Sequence, residues 1–426
     1  MNRRLFMGQS AALIGAASSF PAFAAQASSL QKAKIIVVGA GYGGATAAKY
    51  LRSLSNNSAD VTLIEPQAEF ISCPISNLVV GGVTQIQDIT TSYDGLVKKY
   101  GVKMVKDSVS KIDPVKKTVQ LASGTVMPYD KLILSPGITF NMDKVEGLAA
   151  ANQAGVTLQA WKAGPETVAL HKQIAEMRDG GVFAMSIPLA PYRCPPGPYE
   201  RACQVANYLK QHKPKSKVMV FDANADVTSK GKLFKAVWAE QYQGIIDYQP
   251  ASNVVGVDAK TKTLKFELRD DFQADVLNVI PQMSAGKLVV DTGLANANGR
   301  WAKVHFLNFE STAAKDIHVL GDSIQVAPGM PKSGHMANQQ AKVAAAAIIC
   351  ELSDYPVNPN PVVTNTCYSF VNSKDVVHVA SVHQYNAEEK TFKTVKGSGG
   401  LSPAPNALEG IYAWGWAKNI WSDTVG

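Results

Sequence analysis

Charged residues, cysteine and histidine are all scarce in this chain of 426 residues. Asp, Glu, Lys and Arg make up 18% of it and hydrophobic residues 46%, a balance that excludes predominant disorder. Five cysteines are too few for a disulfide-rich scaffold, and an odd number cannot all pair within one chain. The cysteines form no C-x-x-C pair and the seven histidines are scattered, so we expect no metal site. No C-x-x-C-H motif for haem attachment occurs either.

Long apolar runs and basic clusters are also missing. Beyond the N-terminal segment, no window approaches about eighteen uninterrupted apolar residues, so we expect no transmembrane anchor. The formal net charge is +8, yet there is no run of five basic residues and no basic stripe with interleaved aromatic residues. We therefore expect no nucleic-acid partner. The length favours two or three domains.

The first 24 residues have the pattern of an export signal. Arg3 and Arg4 precede a weakly apolar run at 11–17 and a small-residue exit at 22–24. An ordinary secretory signal is the alternative, but the twin-arginine route exports proteins that have already folded around a cofactor. We therefore predict a twin-arginine signal peptide at 1–24 and a periplasmic location, where disulfides persist.

A glycine-rich turn follows the first strong strand pattern. Residues 35–38 are four branched apolar residues, and they lead into Gly39-Ala40-Gly41-Tyr42-Gly43-Gly44 and a helix predicted over 45–54. In such a G-x-G-x-x-G turn Gly39 permits the tight bend, Gly41 the approach of a pyrophosphate, and Gly44 close packing of helix on strand. The alternative is a glycine turn that serves packing only.

An acidic residue completes this motif. The next predicted strand, 61–64, ends at Glu65, about twenty residues beyond the glycines. A carboxylate at that strand end is suited to accept a hydrogen bond from a ribose 2′-hydroxyl. The combination of strand, glycines, helix, strand and acid predicts a dinucleotide site.

Two later segments indicate that the dinucleotide is FAD. Residues 129–137 form an apolar strand that ends at Ser135-Pro136-Gly137, and they resemble the exit from the first domain of two-dinucleotide-domain flavoproteins. The strand 317–320 ends in Gly321-Asp322. In those flavoproteins the aspartate holds the ribityl or pyrophosphate part of FAD. A helix N-cap is the alternative role for Asp322.

The middle of the chain begins like another βαβ unit but lacks its glycines. A helix over 166–178 and a strand over 182–187 are followed by the proline-rich segment 188–198, and the next strand, 217–221, ends at Asp222. Prolines lack N–H donors and cannot cradle phosphate. We therefore expect a dinucleotide-type fold without a nicotinamide site, and an electron donor other than NAD(P)H.

The predicted fold class is α/β, with two dinucleotide-binding-type domains as in glutathione-reductase-like flavoproteins and a smaller C-terminal α+β domain. The predicted ranges are a FAD-binding domain split into 30–148 and 287–355, the second domain at 149–286, and a flavin-covering and partner-interface domain at 356–426.

The five cysteines occupy different contexts. Cys73 follows the second strand, in a loop that passes the flavin edge in this fold. Cys194 precedes a helix, whose N-terminus is expected to lower the pKa of its thiol. Cys367 lies far along the chain. Cys203 and Cys350 fall in helical patterns and are expected to be buried packing residues.

Several segments together resemble the flavoprotein subunit of flavocytochrome c sulfide dehydrogenase. They are the segment around Cys73, Arg193-Cys194-Pro195-Pro196-Gly197-Pro198-Tyr199-Glu200-Arg201, Pro331-Lys332-Ser333-Gly334-His335 and Asn365-Thr366-Cys367-Tyr368. The resemblance implies FAD attached to Cys73 through an 8α-S-cysteinyl thioether and a redox disulfide between Cys194 and Cys367. A purely structural disulfide is the alternative.

The resemblance also implies a mechanism. Hydrosulfide attacks the Cys194–Cys367 disulfide and forms a persulfide and a thiolate, electrons pass to FAD, and a second sulfide removes the sulfur as polysulfide or elemental sulfur. We favour Cys367 as the sulfur next to the flavin. Glu200 is either a proton carrier or a carboxylate that stabilises the helix start. Lys332 either belongs to a helix start that faces the flavin or is an ordinary solvent-facing lysine.

The electron acceptor implied by the resemblance is a separate c-type cytochrome subunit that carries the haem. A sulfide:quinone oxidoreductase is the alternative within the oxidoreductases, although residues 414–426 lack the long amphipathic pattern of a membrane-surface helix. A non-catalytic flavoprotein of a sulfur-oxidation complex is the alternative of a different class.

Overall fold

The computed structural model describes residue 30 and residues 32–426. The signal peptide predicted at 1–24 lies outside the described residues. No helix in the described part of the chain is long and apolar enough to cross a membrane.

A seven-stranded sheet forms the first unit, and distant parts of the chain contribute to it. Its strands lie in the order Val304–His305, Glu310–Ser311, Ile317–Val319, Lys131–Leu134, Lys34–Val38, Asp60–Ile64 and Lys103–Val105. The last five are parallel. Their branched apolar residues are buried because helices cover the sheet, as expected for parallel strands. One of these helices, Tyr42–Leu54, packs against the helix Gly334–Leu352.

A smaller parallel sheet forms the second unit. Its four strands lie in the order Ile246–Gln249, Lys217–Asp222, Val182–Ile187 and Val276–Val279. The helices of this unit are Pro165–Glu176, Gly197–His212 and Gly231–Gln241. The alternation of parallel strands and helices confirms the predicted fold class of two dinucleotide-type units.

The C-terminal unit is an antiparallel sheet with one long helix. Val362–Phe370 pairs with Val376–Asn386, which also pairs with Thr391–Thr394 and Gly400–Leu401. The helix Ala407–Val425 carries Trp414, Trp416 and Trp421. This agrees with the predicted small α+β domain.

The remaining elements are short. The strands are Glu69–Ile71, Thr90–Ser92, Val109–Asp113, Thr118–Leu121, Val126–Pro128, Ile138–Phe140, Val254–Asp258, Thr263–Phe266, Phe272–Gln273 and Met283–Ala285. The helices are Ser76–Val80, Asp94–Lys98, Leu148–Gln153 and Lys287–Asp291, with 3-10 turns at Ile86–Ile89, Met142–Lys144 and Gly321–Ser323.

Two details differ from the sequence prediction. The helix after the glycine turn begins at Tyr42 rather than at residue 45, because its first glycines take helical backbone angles against the sheet. Cys350 is half-buried rather than buried, because it lies near the C-terminal end of its helix, beyond the last buried residue, Ile348. Cys203 is buried as predicted.

Candidate active site

The glycine turn is shaped for close approach. Gly39 has a φ of +90°, and a Cβ on Gly44 would lie 1.8 Å from the Gly39 carbonyl oxygen. A Cβ on Gly41 would meet no atom of the described part of the chain within 4 Å. The helix Tyr42–Leu54 starts here without a side-chain cap, so its first N–H groups face the open side of Gly41. A pyrophosphate fits this position.

Glu65 is held beside the glycine turn. Its Oε2 accepts the Ala40 N–H at 2.8 Å and its Oε1 accepts the Gln67 N–H at 2.9 Å. Each carboxylate oxygen can accept a further hydrogen bond, so a ribose hydroxyl fits there.

Asp322 carries a buried acceptor that no described residue satisfies. It lies in the 3-10 turn Gly321–Ser323, and its Oδ1 has no hydrogen-bond partner within residues 30 and 32–426. Burial raises the pKa of Asp322, while Arg193 and Lys332 act in the opposite direction. Asp322 is therefore not a helix N-cap, and an orphaned buried oxygen fits a ligand hydroxyl.

Two glycines position this turn. Gly321 has a φ of +70° and donates its N–H to Gln340 Oε1 at 2.8 Å. Gly137, also at positive φ, accepts hydrogen bonds from the Gly286 N–H and the Ser323 hydroxyl. The predicted Gly137 and Gly321-Asp322 segments thus meet at one edge of the sheet.

Cys73 lies next to a guanidinium group. Its sulfur is 3.4 Å from the Ala163 nitrogen and 3.6 Å from Arg193 Nη2, and the residue is half-buried. Arg193 also donates to the carbonyl of Trp161. Although burial opposes its charge, interactions with Cys73, Asp322 and Cys194 raise the pKa of Arg193. Arg193 thereby links three of the predicted site residues.

Cys194 is fixed in a strained turn. Its φ is +58°, and its N–H donates to the Lys332 carbonyl at 2.9 Å. A Cβ on Gly197 would lie 2.8 Å from the Cys194 sulfur, so the glycine there keeps space for it. Burial, with Cys367 and Glu200, raises the pKa of Cys194. The predicted lowering by the helix N-terminus is wrong, because desolvation of the thiolate outweighs it.

Cys367 lies on the strand Val362–Phe370, and the Asn365 side-chain amide is 3.4 Å from its sulfur. The same amide accepts the Ser333 hydroxyl at 2.7 Å. Burial raises the pKa of Cys367, and Lys230 is the largest influence that lowers it. Cys194 and Cys367 are free thiols in this structure and influence each other electrostatically.

Glu200 connects three segments. Its Oε2 accepts from Asn77 Nδ2 at 2.8 Å and its Oε1 accepts from the Phe370 N–H at 2.8 Å. It lies in the first turn of the helix Gly197–His212 and is buried. Burial raises its pKa, so the carboxyl holds a proton more readily than an exposed glutamate.

Lys332 is buried, which excludes the solvent-facing alternative. Its Nζ donates to the carbonyls of Asp322 at 2.9 Å and Ile324 at 2.6 Å and lies 3.6 Å from the centroid of the Trp301 ring. Burial lowers its pKa to about 7. The nearby helix begins at Gly334, with Ser333 as its N-cap.

Sequence reasoning missed four polar residues of this site: Asn77, Arg193, Arg201 and Lys230. Arg201 is 1% exposed and donates to Asn77, Asn278 and the carbonyls of 159 and 160. Asn77, Arg193 and Arg201 lie in the segments that resemble the flavocytochrome c flavoprotein family, and this position could have marked them as site residues. Lys230 lies in no motif.

The turn between Val182–Ile187 and Gly197–His212 corresponds in position to the glycine turn of the first unit. Here it contains prolines and Cys194 in place of a glycine triplet. The described residues contain no cluster of three His, Cys, Asp or Glu that could hold a metal ion.

Three family sequence models match the chain. "Pyridine nucleotide-disulphide oxidoreductase" matches 33–166, "Sulfide dehydrogenase (flavocytochrome c) flavoprotein chain, central" matches 167–281, and "Flavocytochrome c sulphide dehydrogenase, flavin-binding" matches 359–425.

Similar proteins include a flavocytochrome c flavoprotein chain and two sulfide:quinone oxidoreductases. The sulfide dehydrogenase (flavocytochrome c) flavoprotein chain of Chlorobaculum thiosulfatiphilum is 54% identical over 46 residues, which are 11% of this chain and 94% of that sequence. The mitochondrial sulfide:quinone oxidoreductase of Dictyostelium discoideum is 24% identical over 339 residues, 76% of this chain and 72% of the relative. The structure of the sulfide:quinone oxidoreductase of Aquifex aeolicus superimposes with a TM-score of 0.75 at 19% identity, covering 92% of this chain and 91% of that one.

The fold and the site define a flavoprotein of the disulfide-oxidoreductase type, with FAD as its cofactor. The family models that match 167–281 and 359–425 identify a particular family within this class of flavoproteins. The chain belongs to the family of flavocytochrome c sulfide dehydrogenase flavoprotein chains, which are sulfide-oxidising flavoproteins.

Proposed function

We propose that the chain oxidises sulfide to polysulfide or elemental sulfur through a redox disulfide between Cys194 and Cys367. The observation that carries this proposal is the arrangement around Arg193, which lies beside Cys73 and interacts with Cys194 and Asp322, while Cys194 in turn interacts with Cys367. One half-buried cation thus links Cys194 of the cysteine pair to residues suited to hold FAD.

FAD fits the residues present. Gly39 and Gly44 shape the turn, Gly41 leaves the space in which the pyrophosphate would lie, and Glu65 and Asp322 would bind the ribose and ribityl hydroxyls. The half-buried Cys73 is proposed to carry it through an 8α-S-cysteinyl thioether. When bound, FAD accepts the two electrons that the cysteine pair releases.

The sulfur chemistry of the chain's own residues balances. Hydrosulfide attacks the Cys194 sulfur, the S–S bond breaks, and its electron pair leaves on Cys367 as a thiolate. Cys194 then carries a persulfide. A second hydrosulfide takes the outer sulfur as hydrogen disulfide and leaves Cys194 as a second thiolate. Reclosure of the disulfide releases two electrons. We assign to Glu200 the role of holding a proton beside the pair, because burial raises its pKa and it influences the pKa of both cysteines.

The test begins with the mass of the denatured, full-length purified protein and a peptide map. We expect FAD mass on the peptide that contains Cys73 and a crosslink between Cys194 and Cys367. Cys194→Ser should abolish sulfide-dependent flavin reduction, whereas Cys203→Ser, at a buried thiol outside the pair, should retain it. Full sulfide oxidation by Cys194→Ser would contradict the proposal and favour a non-catalytic flavoprotein.

We further propose a c-type cytochrome subunit, which carries the haem, as the electron acceptor and the periplasm as the location. Two family matches whose names include flavocytochrome c support this acceptor. The C-terminal helix adds an exposed apolar patch, formed by Leu408, Ile411 and Tyr412, which are 55%, 69% and 52% exposed. Such a patch suits a protein partner.

A quinone is the competing acceptor, because relatives named sulfide:quinone oxidoreductases match most of the chain. Comparing sulfide-dependent reduction of a c-type cytochrome with that of a water-soluble quinone analogue separates the two. Faster reduction of the quinone would contradict the cytochrome proposal.

The proline-containing turn before Gly197 supports an electron donor other than NAD(P)H. We expect NADH mixed with the oxidised flavoprotein in stopped flow to leave the flavin absorbance unchanged. Rapid bleaching would contradict this.

A further inference from the structure

Among the described residues, no carboxylate forms a hydrogen bond with the buried ammonium group of Lys230. It is 6% exposed, and its Nζ donates to the Cys367 carbonyl at 3.0 Å, the Ser369 hydroxyl at 2.7 Å and the Val377 carbonyl at 3.2 Å. Buried lysines are normally paired with a carboxylate, because removing an ammonium group from water is costly. If Lys230 only joined its own segment to the neighbouring strands, a neutral hydrogen-bond donor would suffice and the charge would not be needed.

The ammonium group of Lys230 binds to the strand that carries Cys367 and to the strand next to it. Side chains alternate along a strand, so Asn365, Cys367 and Ser369 share one face of Val362–Phe370. Ser369 pairs with Val377 on the neighbouring strand. All three acceptors of Lys230 therefore belong to the strand that carries Cys367 or to its partner strand.

The electrostatic influence is reciprocal. Burial lowers the pKa of Lys230 to about 8, and the largest influence in the other direction comes from Cys367, followed by Glu200, Cys194 and Glu409. For Cys367, Lys230 is the largest influence that opposes burial. The sulfur of Cys367 also has the Asn365 amide at 3.4 Å.

The backbone at Lys230 is strained. Its φ is +58°, in the left-handed region that favours glycine, immediately before the helix Gly231–Gln241. Lys117, Lys262 and Lys390 also have positive φ, but the side chain of Lys230 is buried and donates three hydrogen bonds inside the protein.

We propose that Lys230 is a positioning residue whose buried ammonium group, charged at neutral pH, makes Cys367 the cysteine that leaves as a thiolate when the disulfide opens. This inference rests on the proposed function. The proposal states which sulfur is attacked and which one leaves. Sulfide attacks Cys194, because Lys230 and Asn365 stabilise the electron pair of the broken S–S bond on Cys367.

The test measures the ionisation of Cys367 in the full-length, FAD-loaded protein. The protein is reduced anaerobically with dithiothreitol, and the far-ultraviolet thiolate absorbance is followed across a pH titration, with the signal of the same protein carrying Cys367→Ser subtracted. We expect Lys230→Met to raise the apparent pKa of Cys367 by about one to two units, so that the thiolate fraction at neutral pH falls roughly tenfold or more. Lys230→Arg keeps the charge and should remain within about half a unit of the unchanged protein.

A matched control removes another buried lysine. Lys131 is 9% exposed but is paired with Asp316 and Glu351. Lys131→Met should lower stability and leave the Cys367 titration unchanged. An unshifted titration in Lys230→Met, or an equal shift in Lys131→Met or Lys230→Arg, would overturn the proposal.

A second variant covers the case in which Lys230→Met does not fold. Lys230→Gln keeps hydrogen-bond donors and removes the charge, so the same upward shift is expected, and no shift would overturn the proposal. The titration needs neither sulfide nor an electron acceptor. A shifted titration without sulfide turnover would therefore refute the proposed function alone, and turnover with an unshifted titration would refute the role of Lys230 alone.

Discussion

His335 illustrates how burial sets the charge of one residue beside the site. Its Nδ1 accepts the Thr366 N–H at 3.0 Å, so the other ring nitrogen carries the proton of the neutral imidazole. Its ring packs against Trp416, with centroids 5.7 Å apart. Burial lowers its pKa from 6.5 to about 4.

This shift predicts a window of acid sensitivity. Between pH 6.5 and about 4 the unfolded chain binds a proton at His335 more readily than the folded chain, so the free energy of unfolding falls as the pH drops through this range. We expect His335 to contribute about 1–3 kcal/mol of this loss. Urea denaturation at both ends of the window should show a shallower loss for His335→Gln, whose side-chain oxygen can still accept the Thr366 N–H. Identical pH slopes would contradict the prediction.

Glu200 permits a second test at the scale of one residue. Because its two oxygens accept from Asn77 and the Phe370 N–H, Glu200→Gln leaves one buried donor unpaired. We expect a loss of about 1–3 kcal/mol in the free energy of unfolding. If Glu200 carries protons, one ionisation should also disappear from the pH profile of kcat/KM for sulfide. A profile that keeps its shape would assign Glu200 to structure alone.

At the scale of elements, the glycine turn joins a strand and a helix at two positions with different demands. Gly44 touches the protein itself, whereas Gly41 faces the space assigned to the pyrophosphate. A substitution at Gly44 should therefore affect folding, and one at Gly41 should affect FAD binding.

Gly44→Ala should destabilise the fold by about 1–3 kcal/mol or more, because its Cβ would overlap the Gly39 carbonyl. Gly41→Ala should leave the unfolding of the flavin-free protein within about 0.5 kcal/mol of the unchanged chain and lower its FAD content. Denaturation curves and the ratio of flavin to protein absorbance measure the two effects. Equal flavin content in Gly41→Ala and the unchanged protein would show that FAD does not approach this turn.

Arg201 joins elements from both dinucleotide units. It stacks 4.7 Å from the Trp161 ring centroid, and burial lowers its pKa to about 9. Arg201→Met leaves several buried acceptors unpaired and should cost about 3–5 kcal/mol in urea denaturation. Arg178→Met, at an exposed arginine paired with Asp275, should cost less than about 1 kcal/mol. Similar losses in the free energy of unfolding for the two variants would contradict the prediction that the buried arginine stabilises the fold more than the exposed one.

The sequence predicted the elements that have local signals and missed what depends on distant contacts. The strand, glycine turn and helix at 34–54 are encoded within about twenty residues, and so is the strand Val182–Ile187. Lys230 reaches Cys367 across 137 residues, and no periodicity or motif records that contact. The pKa of Cys194 was misjudged for the same reason, because burial arises from other segments and outweighs the helix start.

At the scale of the whole molecule, the apolar patch on the C-terminal helix gives a prediction about assembly. Ile411→Asp should weaken binding of the proposed cytochrome subunit by about tenfold or more, because it places a charge in the centre of an apolar contact. Sulfide-dependent flavin reduction should be unchanged. Leu268→Asp alters a residue that is 91% exposed elsewhere and serves as the control. Titration calorimetry measures both, and equal binding by the two variants would contradict this interface.

The strand order of the seven-stranded sheet also determines when the sheet can be completed during translation. The inner strand Lys131–Leu134 receives its neighbour Ile317–Val319 only after roughly 180 further residues have been translated, about 10–40 s at about 5–20 residues per second. During that interval one edge of the nascent sheet is unpaired, and such edges recruit other chains. Asp322 also arrives only with this late strand. A ribosome stalled before residue 317 would therefore hold a chain that cannot yet complete its flavin pocket, and cellular chaperones would have to shield that edge.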